Sequence, residues 1–291
     1  MSTLRVSFVQ GRPRFGDPAG NLERGLALAA GEPADLVVLP ELWASGYVFS
    51  SRAEVAALAE DATRGITART LAAAARREKR HYIAGFAETH RGRFYNSAML
   101  VGPSGVKTIY RKLHLFEREP EWFERGDLPM TVTRVGPARV GMLICFDWRY
   151  PEAARALALA GADVIAHPSN LVFPDAQRIM LGRAFEDRVF IVTANRTGVD
   201  DRPAGRVRFT GRSQIVGPDG DLMIRAGAAA TTVGAADCDL ARSRDKAMTG
   251  ITHLFTSRRP EFYGALVKKP AHGRTDPRAP RVKHVRPSRP R

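Results

Sequence analysis

The stretch VGMLICFDWRYPE, residues 140–152, ends an apolar run in Cys145 and continues into a turn of polar and aromatic groups. A thiol there has two readings. Free cysteine is among the most buried residue types and is commonly inert. The carboxyl ends of parallel strands, however, are where α/β folds bind ligands, and a strand, a sharp turn and a helix in succession can push a nucleophile out at the top of a sheet. Pro151 suits the first position of the helix that would follow. An attacking thiol needs a base for its proton and cations or amides for the oxyanion. His114 in KLHLF and His167 in AHPSN are available, but nothing around either marks it as the partner, and both read as structural histidines. Glu41 and Lys112 are better placed. Glu41 stands directly after VVLP, where Pro40 restricts the backbone, and Lys112 closes VKTIYRK. A carboxylate can take the proton and an ammonium can hold the oxyanion. Taken singly, Glu41 also reads as a loop carboxylate and Lys112 as a solvated edge lysine. Together, three reactive groups at three strand ends suggest one site.

The elements that must position these groups follow from hydrophobic period and turn residues. LRVSFVQ (4–10) and ADLVVLPE (34–41) read as strands, separated by a helix in NLERGLALAAGE (21–32), so a βαβ unit is expected. RGITARTLAAAARREKR (64–80) is an Ala-rich helix whose basic end suits the negative pole of the helix dipole. Strands return at 81–88, 95–103 and 106–112, with GPSG (102–105) as a turn. The second half repeats the rhythm: strand 139–145, helix 150–162, strand 163–168, helix 175–188, strand 189–195, and a hairpin over 211–225 around GPDG. Two βα halves with paired strands predict an α/β fold of four layers, α-β-β-α, in which two mixed sheets pack face to face under outer helices.

Composition narrows the function classes. The chain has 291 residues, 44% of them apolar, enough for one large domain, expected over 1–267. Its two cysteines, Cys145 and Cys238, lack CxxC or Cys/His spacing, so neither a disulfide framework nor a zinc site is indicated. The cytosol is the expected compartment. No segment has the character of a signal peptide or a membrane span. GxGxxG and GxxxxGK[ST] are absent, which argues against a dinucleotide enzyme or a P-loop ATPase. The net charge of +15 raises a nucleic-acid or anionic-surface reading, but residues 268–291 carry nine Lys/Arg against one Asp and so hold eight of those charges. This Pro/Arg-rich tail cannot bury enough apolar surface to order itself, and an extended or disordered segment is expected.

LPELWASGY (39–47), YRKLHLF (110–116) and GMLICFDWRYPE (141–152) resemble the three signature blocks of the nitrilase superfamily of carbon–nitrogen hydrolases. The resemblance runs from about Leu4 to Val267, and is nearest to small single-domain nitrilase and amidase members, including a thermophilic archaeal nitrilase type. It implies a Glu-Lys-Cys triad on Glu41, Lys112 and Cys145, with the Phe146 N–H as oxyanion donor. It further implies a second glutamate, which the spacing places on Glu119 of KLHLFEREPEWFERGD, while Glu117, Glu121 and Glu124 read as solvated charges. Trp43, Tyr47, Trp148 and Asn170 are candidate pocket liners, each aromatic being an equally credible core residue. The implied chemistry is hydrolysis of a small amide through a thioester, with nitriles and N-carbamoyl compounds as alternatives, and it requires no metal or organic cofactor. Family members pair their protomers into an eight-layer dimer, so residues 149–162 and 251–267 are expected to meet a second copy, or else to pack within the chain. If the tail alone binds polyanions, deleting residues 268–291 should remove any salt-sensitive retention on heparin and leave hydrolysis unchanged; lost hydrolysis in the truncated protein would contradict that division of labour.

Overall fold

The computed structural model describes residues 2–268, so the tail expected over 268–291 lies, apart from Lys268, outside the described residues. The chain divides into two units, residues 1–246 and 247–291.

The first unit contains two six-stranded sheets. Its strands are β1 (Thr3–Gln10), β2 (Leu36–Val38), β3 (His81–His90), β4 (Arg93–Gly102), β5 (Gly105–Arg111), β6 (Val132–Val135), β7 (Ala138–Met142), β8 (Val164–Ser169), β9 (Phe190–Asn195), β10 (Val199–Arg202), β11 (Gly205–Arg208), β12 (Gln214–Val216), β13 (Leu222–Arg225) and β14 (Thr232–Asp239). Its helices are α1 (Pro18–Ala30), α2 (Arg52–Leu58), α3 (Ile66–Glu78), α4 (Glu119–Trp122), α5 (Pro151–Leu159), α6 (Asp175–Asp187) and α7 (Leu240–Arg244). One sheet runs β14-β1-β2-β3-β4-β5 and the other β13-β12-β9-β8-β7-β6, with β10 and β11 as a separate ribbon. Each large sheet has three parallel strands at its centre, β1/β2/β3 and β7/β8/β9, and antiparallel strands outside them.

The parallel cores face each other, β1 and β2 against β9 and β2 and β3 against β8, while α1 and α3 cover one sheet and α5 and α6 the other. This is the expected four-layer α-β-β-α sandwich. Leu36, Val37 and Val38 of β2 and Val164, Ile165 and Ala166 of β8 are all inaccessible, as strands buried on both faces must be. On the outer face of the first sheet, Leu22, Ala29, Leu71 and Ala75 from α1 and α3 close an apolar cluster with Val37, Tyr82 and Met99. Among the described residues, no helix is long and apolar enough to cross a membrane.

Three departures from the sequence-based expectation stand out, the first two at the site itself. The strand expected over 34–41 stops at Val38, releasing Leu39, Pro40 and Glu41 into the turn beyond. The strand expected over 139–145 stops at Met142, and Cys145 instead opens a 3₁₀ turn, Cys145–Arg149, with φ of 41°. That left-handed conformation is costly for a side chain with a Cβ, and it is held only because the surroundings over-determine it. Finally, β14 lies along the whole of β1 in antiparallel register, from Thr3 opposite Asp239 to Gln10 opposite Thr232. Its sequence, TVGAADCD, is poor in strand formers, so local propensity concealed it, and the ladder with β1 decides its conformation.

The second unit, as far as Lys268, consists of a bridge between Ala247 and His253 and two 3₁₀ turns, Pro260–Phe262 and Gly264–Val267.

Candidate active site

Glu41, Lys112 and Glu119 converge at the carboxyl end of the first sheet. Lys112 is wholly buried, and its Nζ donates to Glu41 Oε1 and to Glu119 Oε1, both at 2.7 Å. The approach of Lys112 is set by its neighbour. Arg111 forms a bidentate pair with buried Glu88 (Nη2 to Oε1 2.5 Å, Nε to Oε2 3.0 Å), reaches Asp127 at 2.7 Å and lies 4.0 Å over the Tyr95 ring. Alternation along a strand then turns the next side chain to the opposite face. Lys112 also keeps to the ladder, its N–H donating to the Asn96 carbonyl at 2.9 Å.

Glu41 is placed by a close backbone crossing. The Gly85 N–H donates to the Pro40 carbonyl at 3.1 Å, and a Cβ on Gly85 would stand 2.5 Å from Glu41 Cα and 2.3 Å from Leu42 N. Any larger residue in β3 would therefore displace the glutamate. Asn96 Nδ2 donates to Glu41 Oε1 at 2.7 Å, and Asn170 Nδ2 donates to the Glu41 carbonyl at 3.0 Å. Oε2 of Glu41 has no hydrogen-bond partner among the described residues.

Glu119 begins α4, where Pro120 suits the first turn. Its Oε1 also accepts from the Tyr47 hydroxyl at 2.8 Å, and its Oε2 accepts from the Phe116 N–H at 3.2 Å.

The electrostatics follow from one cation among several acids. Burial by itself would lower the Lys112 pKa, but the charges of Glu119 and Glu41 outweigh it, and the pKa rises above the usual lysine value. Lys112 therefore stays an ammonium through and beyond neutral pH. Burial raises Glu119, with Lys112 opposing and Glu41 reinforcing the shift. Burial likewise pushes the Cys145 thiol well above its usual range, Glu41 adding to the effect while Lys112 and the backbone N–H of Asn170 oppose it. The resting sulfur is a thiol that feels all three charged groups.

The turn carrying Cys145 is tied down by residues that the sequence reading did not single out as site residues. Asp147, fully buried, accepts at Oδ2 from the Ile144 N–H (2.8 Å) and the Tyr110 hydroxyl (2.8 Å). Its Oδ1 accepts from the His114 N–H (3.2 Å) and meets His114 Nδ1 at 2.7 Å. One carboxylate thus joins the Cys145 turn to both flanks of Lys112. An Asp two residues after the thiol, at the third position of the turn, was the available signal.

His167 occupies the other side. Its Nε2 lies 2.9 Å from the Cys145 carbonyl and its Nδ1 3.1 Å from the Thr193 hydroxyl. Burial lowers its pKa, so the ring is neutral, with Nε2–H donating to the carbonyl and Nδ1 accepting from the threonine. The His167 ring thus holds the Cys145 backbone, while the His114 ring is held by the Asp147 carboxylate and stacks on Tyr150.

The tentative liners separate. Tyr47 reaches the site through Glu119. Its ring meets Phe209 edge-on at 5.9 Å, and Phe209 lies 4.0 Å beneath the guanidinium of buried Arg196, which is paired bidentately with Asp200 at 2.7 and 2.8 Å. Trp43 is a core residue: it belongs to the cluster under α1 and α3, and its Nε1–H donates to the Asn21 carbonyl at 2.6 Å. Of the two readings of Trp43, pocket liner and core residue, these contacts favour the core. Asn170 uses its amide to hold the Glu41 backbone. Trp148 is buried and packs edge-on against Phe146 at 6.3 Å. Phe146, directly after the thiol, is partly exposed.

Comparison with known proteins gives a consistent picture. Residues 5–247 match the carbon-nitrogen hydrolase family. A nitrilase of Pyrococcus abyssi is 43% identical over 263 residues, covering 89% of this chain and 99% of its own. An (R)-stereoselective amidase of a Pseudomonas species is 41% identical over 230 residues, covering 77% and 81%. Among solved structures, a carbon-nitrogen hydrolase from Helicobacter pylori G27 superposes with a TM-score of 0.82 at 25% identity, covering 92% of this chain and 99% of that one.

The network around Asp147 can be tested by Asp147→Asn. The variant keeps the volume but loses the charge and presents donors to donors, so it should lower stability by about 1.5–3 kcal/mol in urea unfolding. Turnover should fall with it. A variant with wild-type stability and turnover would show that the carboxylate is not what joins the two loops.

Proposed function

The chain belongs to the carbon-nitrogen hydrolase family, and on that premise we propose that this enzyme converts a small amide to the corresponding acid and ammonia through a thioester on Cys145. The observation that carries the reading is the Lys112 ammonium, 2.7 Å from both Glu41 and Glu119, with the Cys145 thiol inside the field of all three. A relative named as an amidase and another named as a nitrilase support C–N chemistry on either substrate. Amide is the first choice and nitrile the second.

The proton bookkeeping assigns the roles. The Cys145 sulfur attacks the carbonyl carbon as its proton passes to Glu41, whose Oε2 has no other partner among the described residues. The C=O pair moves onto oxygen, and that oxyanion is held by the Lys112 ammonium and the Phe146 N–H. Collapse of the adduct breaks the C–N bond, and the leaving nitrogen takes the proton from Glu41 as ammonia. Water then attacks the thioester and gives a proton to Glu41. The second adduct expels the sulfur, which recovers that proton. Glu119, bound to Lys112 and Tyr47, keeps the ammonium from following Glu41 when the latter is neutralised.

Residence in the cytosol belongs to the same proposal, because a nucleophilic thiol must stay reduced and both cysteines are free. So does a homodimer. Tyr150 and Leu159 in the 149–162 segment are exposed, and in the 251–267 segment Ile251 (99% exposed), Phe262, Leu266 and Val267 present large apolar side chains to solvent. Sedimentation should give two chains or a multiple of two per particle; a monomer at micromolar concentration would remove that part of the reading.

The catalytic assignment is tested by ammonia release across a panel of small amides, nitriles and N-carbamoyl compounds. Cys145→Ala should release none above background while unfolding like the parent. Lys112→Ala should lose about a hundredfold or more in turnover, the effect of one oxyanion donor worth about 3 kcal/mol. Mass spectrometry of the quenched parent should find an acyl adduct on the peptide holding Cys145. Turnover retained in Cys145→Ala would reject the nucleophile.

A further inference from the structure

Three of the segments around the site, those of Cys145, of Lys112 with Glu119, and of Asn170, each carry a phenyl ring, and the three rings touch in series. Phe146 follows Cys145. Phe116 lies between Lys112 and Glu119, and its N–H donates to Glu119 Oε2 at 3.2 Å. Phe173 lies three residues beyond Asn170, whose side chain holds the Glu41 carbonyl. The Phe116 and Phe146 centroids are 4.9 Å apart with planes at 51°, and Phe116 and Phe173 are 5.9 Å apart with planes at 90°. Tyr150 continues the group, edge-on to Phe146 at 5.8 Å and stacked on His114 at 3.7 Å. Rings in such contact normally close a core, yet Phe116 and Phe146 are partly exposed and Phe173 is 49% exposed. An open aromatic surface joined to a reactive group is suited to receive an apolar part of the reacting molecule.

Charge points the same way. Glu41, Glu119 and Lys112 together leave one excess negative charge when all are ionised, and the one fully buried guanidinium close by, Arg196, is neutralised by Asp200. A substrate bearing a carboxylate on its acyl group would enter against that field. From the ring contacts and this charge balance we infer that the enzyme selects neutral amides with an aromatic or arylalkyl acyl group, and that Phe116 and Phe173 form the subsite for the ring. The inference rests on the amide reading above and names its substrate class.

The experiment compares kcat/KM for phenylacetamide, acetamide and succinamate, in the parent and in Phe173→Ala, a residue outside the catalytic groups. Phenylacetamide should exceed acetamide by about tenfold or more, the scale on which an apolar pocket discriminates. Succinamate should be the poorest of the three. Phe173→Ala should reduce phenylacetamide turnover about tenfold through KM and leave acetamide unchanged. If none of the amides is hydrolysed, the amide reading itself fails. If acetamide is hydrolysed as well as phenylacetamide, or succinamate better than either, amide hydrolysis stands and the aromatic subsite is wrong. An equal loss on both neutral amides in Phe173→Ala would make the ring structural. Size-exclusion chromatography closes the remaining route: a variant that dissociates while keeping the parent's preference assigns Phe173 to contact with a second copy and overturns the inference.

Discussion

The arrangement of this site depends on one ammonium buried between two carboxylates. Taking Lys112 out of water is costly, and the cost is met only because Glu41 and Glu119 lie at hydrogen-bond distance on either side. Burial first, and then the neighbouring carboxylates, disfavour an anion on sulfur. The thiol of Cys145 is therefore held protonated at rest, so the proposed attack would have to be coupled to removal of its proton. The lysine requires the glutamates to be buried at all, and the ion pair in turn fixes where Glu41 lies.

Positioning this cluster uses backbone contacts more than side-chain packing. Gly85 lets β3 pass beneath Glu41 at a distance that no Cβ would permit. Asp147 and His167 clamp the turn of Cys145 from two directions, one through the Ile144 amide and the other through the Cys145 carbonyl. Such fixing is what a non-glycine residue at φ 41° demands, because a left-handed cysteine relaxes unless its flanking peptide groups are already committed. Arg111, locked on Glu88, orients the strand that delivers Lys112. The four-layer sandwich supplies the frame, since its two parallel cores direct their carboxyl ends, with Glu41 on one sheet and Cys145 on the other, into a shared space.

The two cysteines show how far residue type alone carries. Cys145 and Cys238 are both buried and free, and burial raises the thiol of each. Cys238 lies in β14 opposite Leu4, with Asp237 and Arg242 as its charged neighbours, and it packs. Cys145 sits past a strand end among Glu41, Lys112 and Glu119. A thiol's surroundings distinguish the two, and surroundings are a tertiary property.

The α/β class, most of the strands and helices and the candidacy of Glu41, Lys112, Cys145 and Glu119 were legible in the chain alone, because hydrophobic period, turn residues and three ordered motif blocks are local signals. The sequence could not show that β14 belongs beside β1, because a strand poor in strand formers is defined by its partner. Nor could it separate Trp43, sunk in the core under α1, from Tyr47, four residues later and bound to Glu119. Asp147, Asn96 and Arg196 were equally hidden: a polar residue in a strand or turn carries no local mark of the long-range partner it will meet. Tertiary structure decided those partners, together with the protonation of the thiol, because burial and charge at one point in space depend on chain segments more than a hundred residues apart.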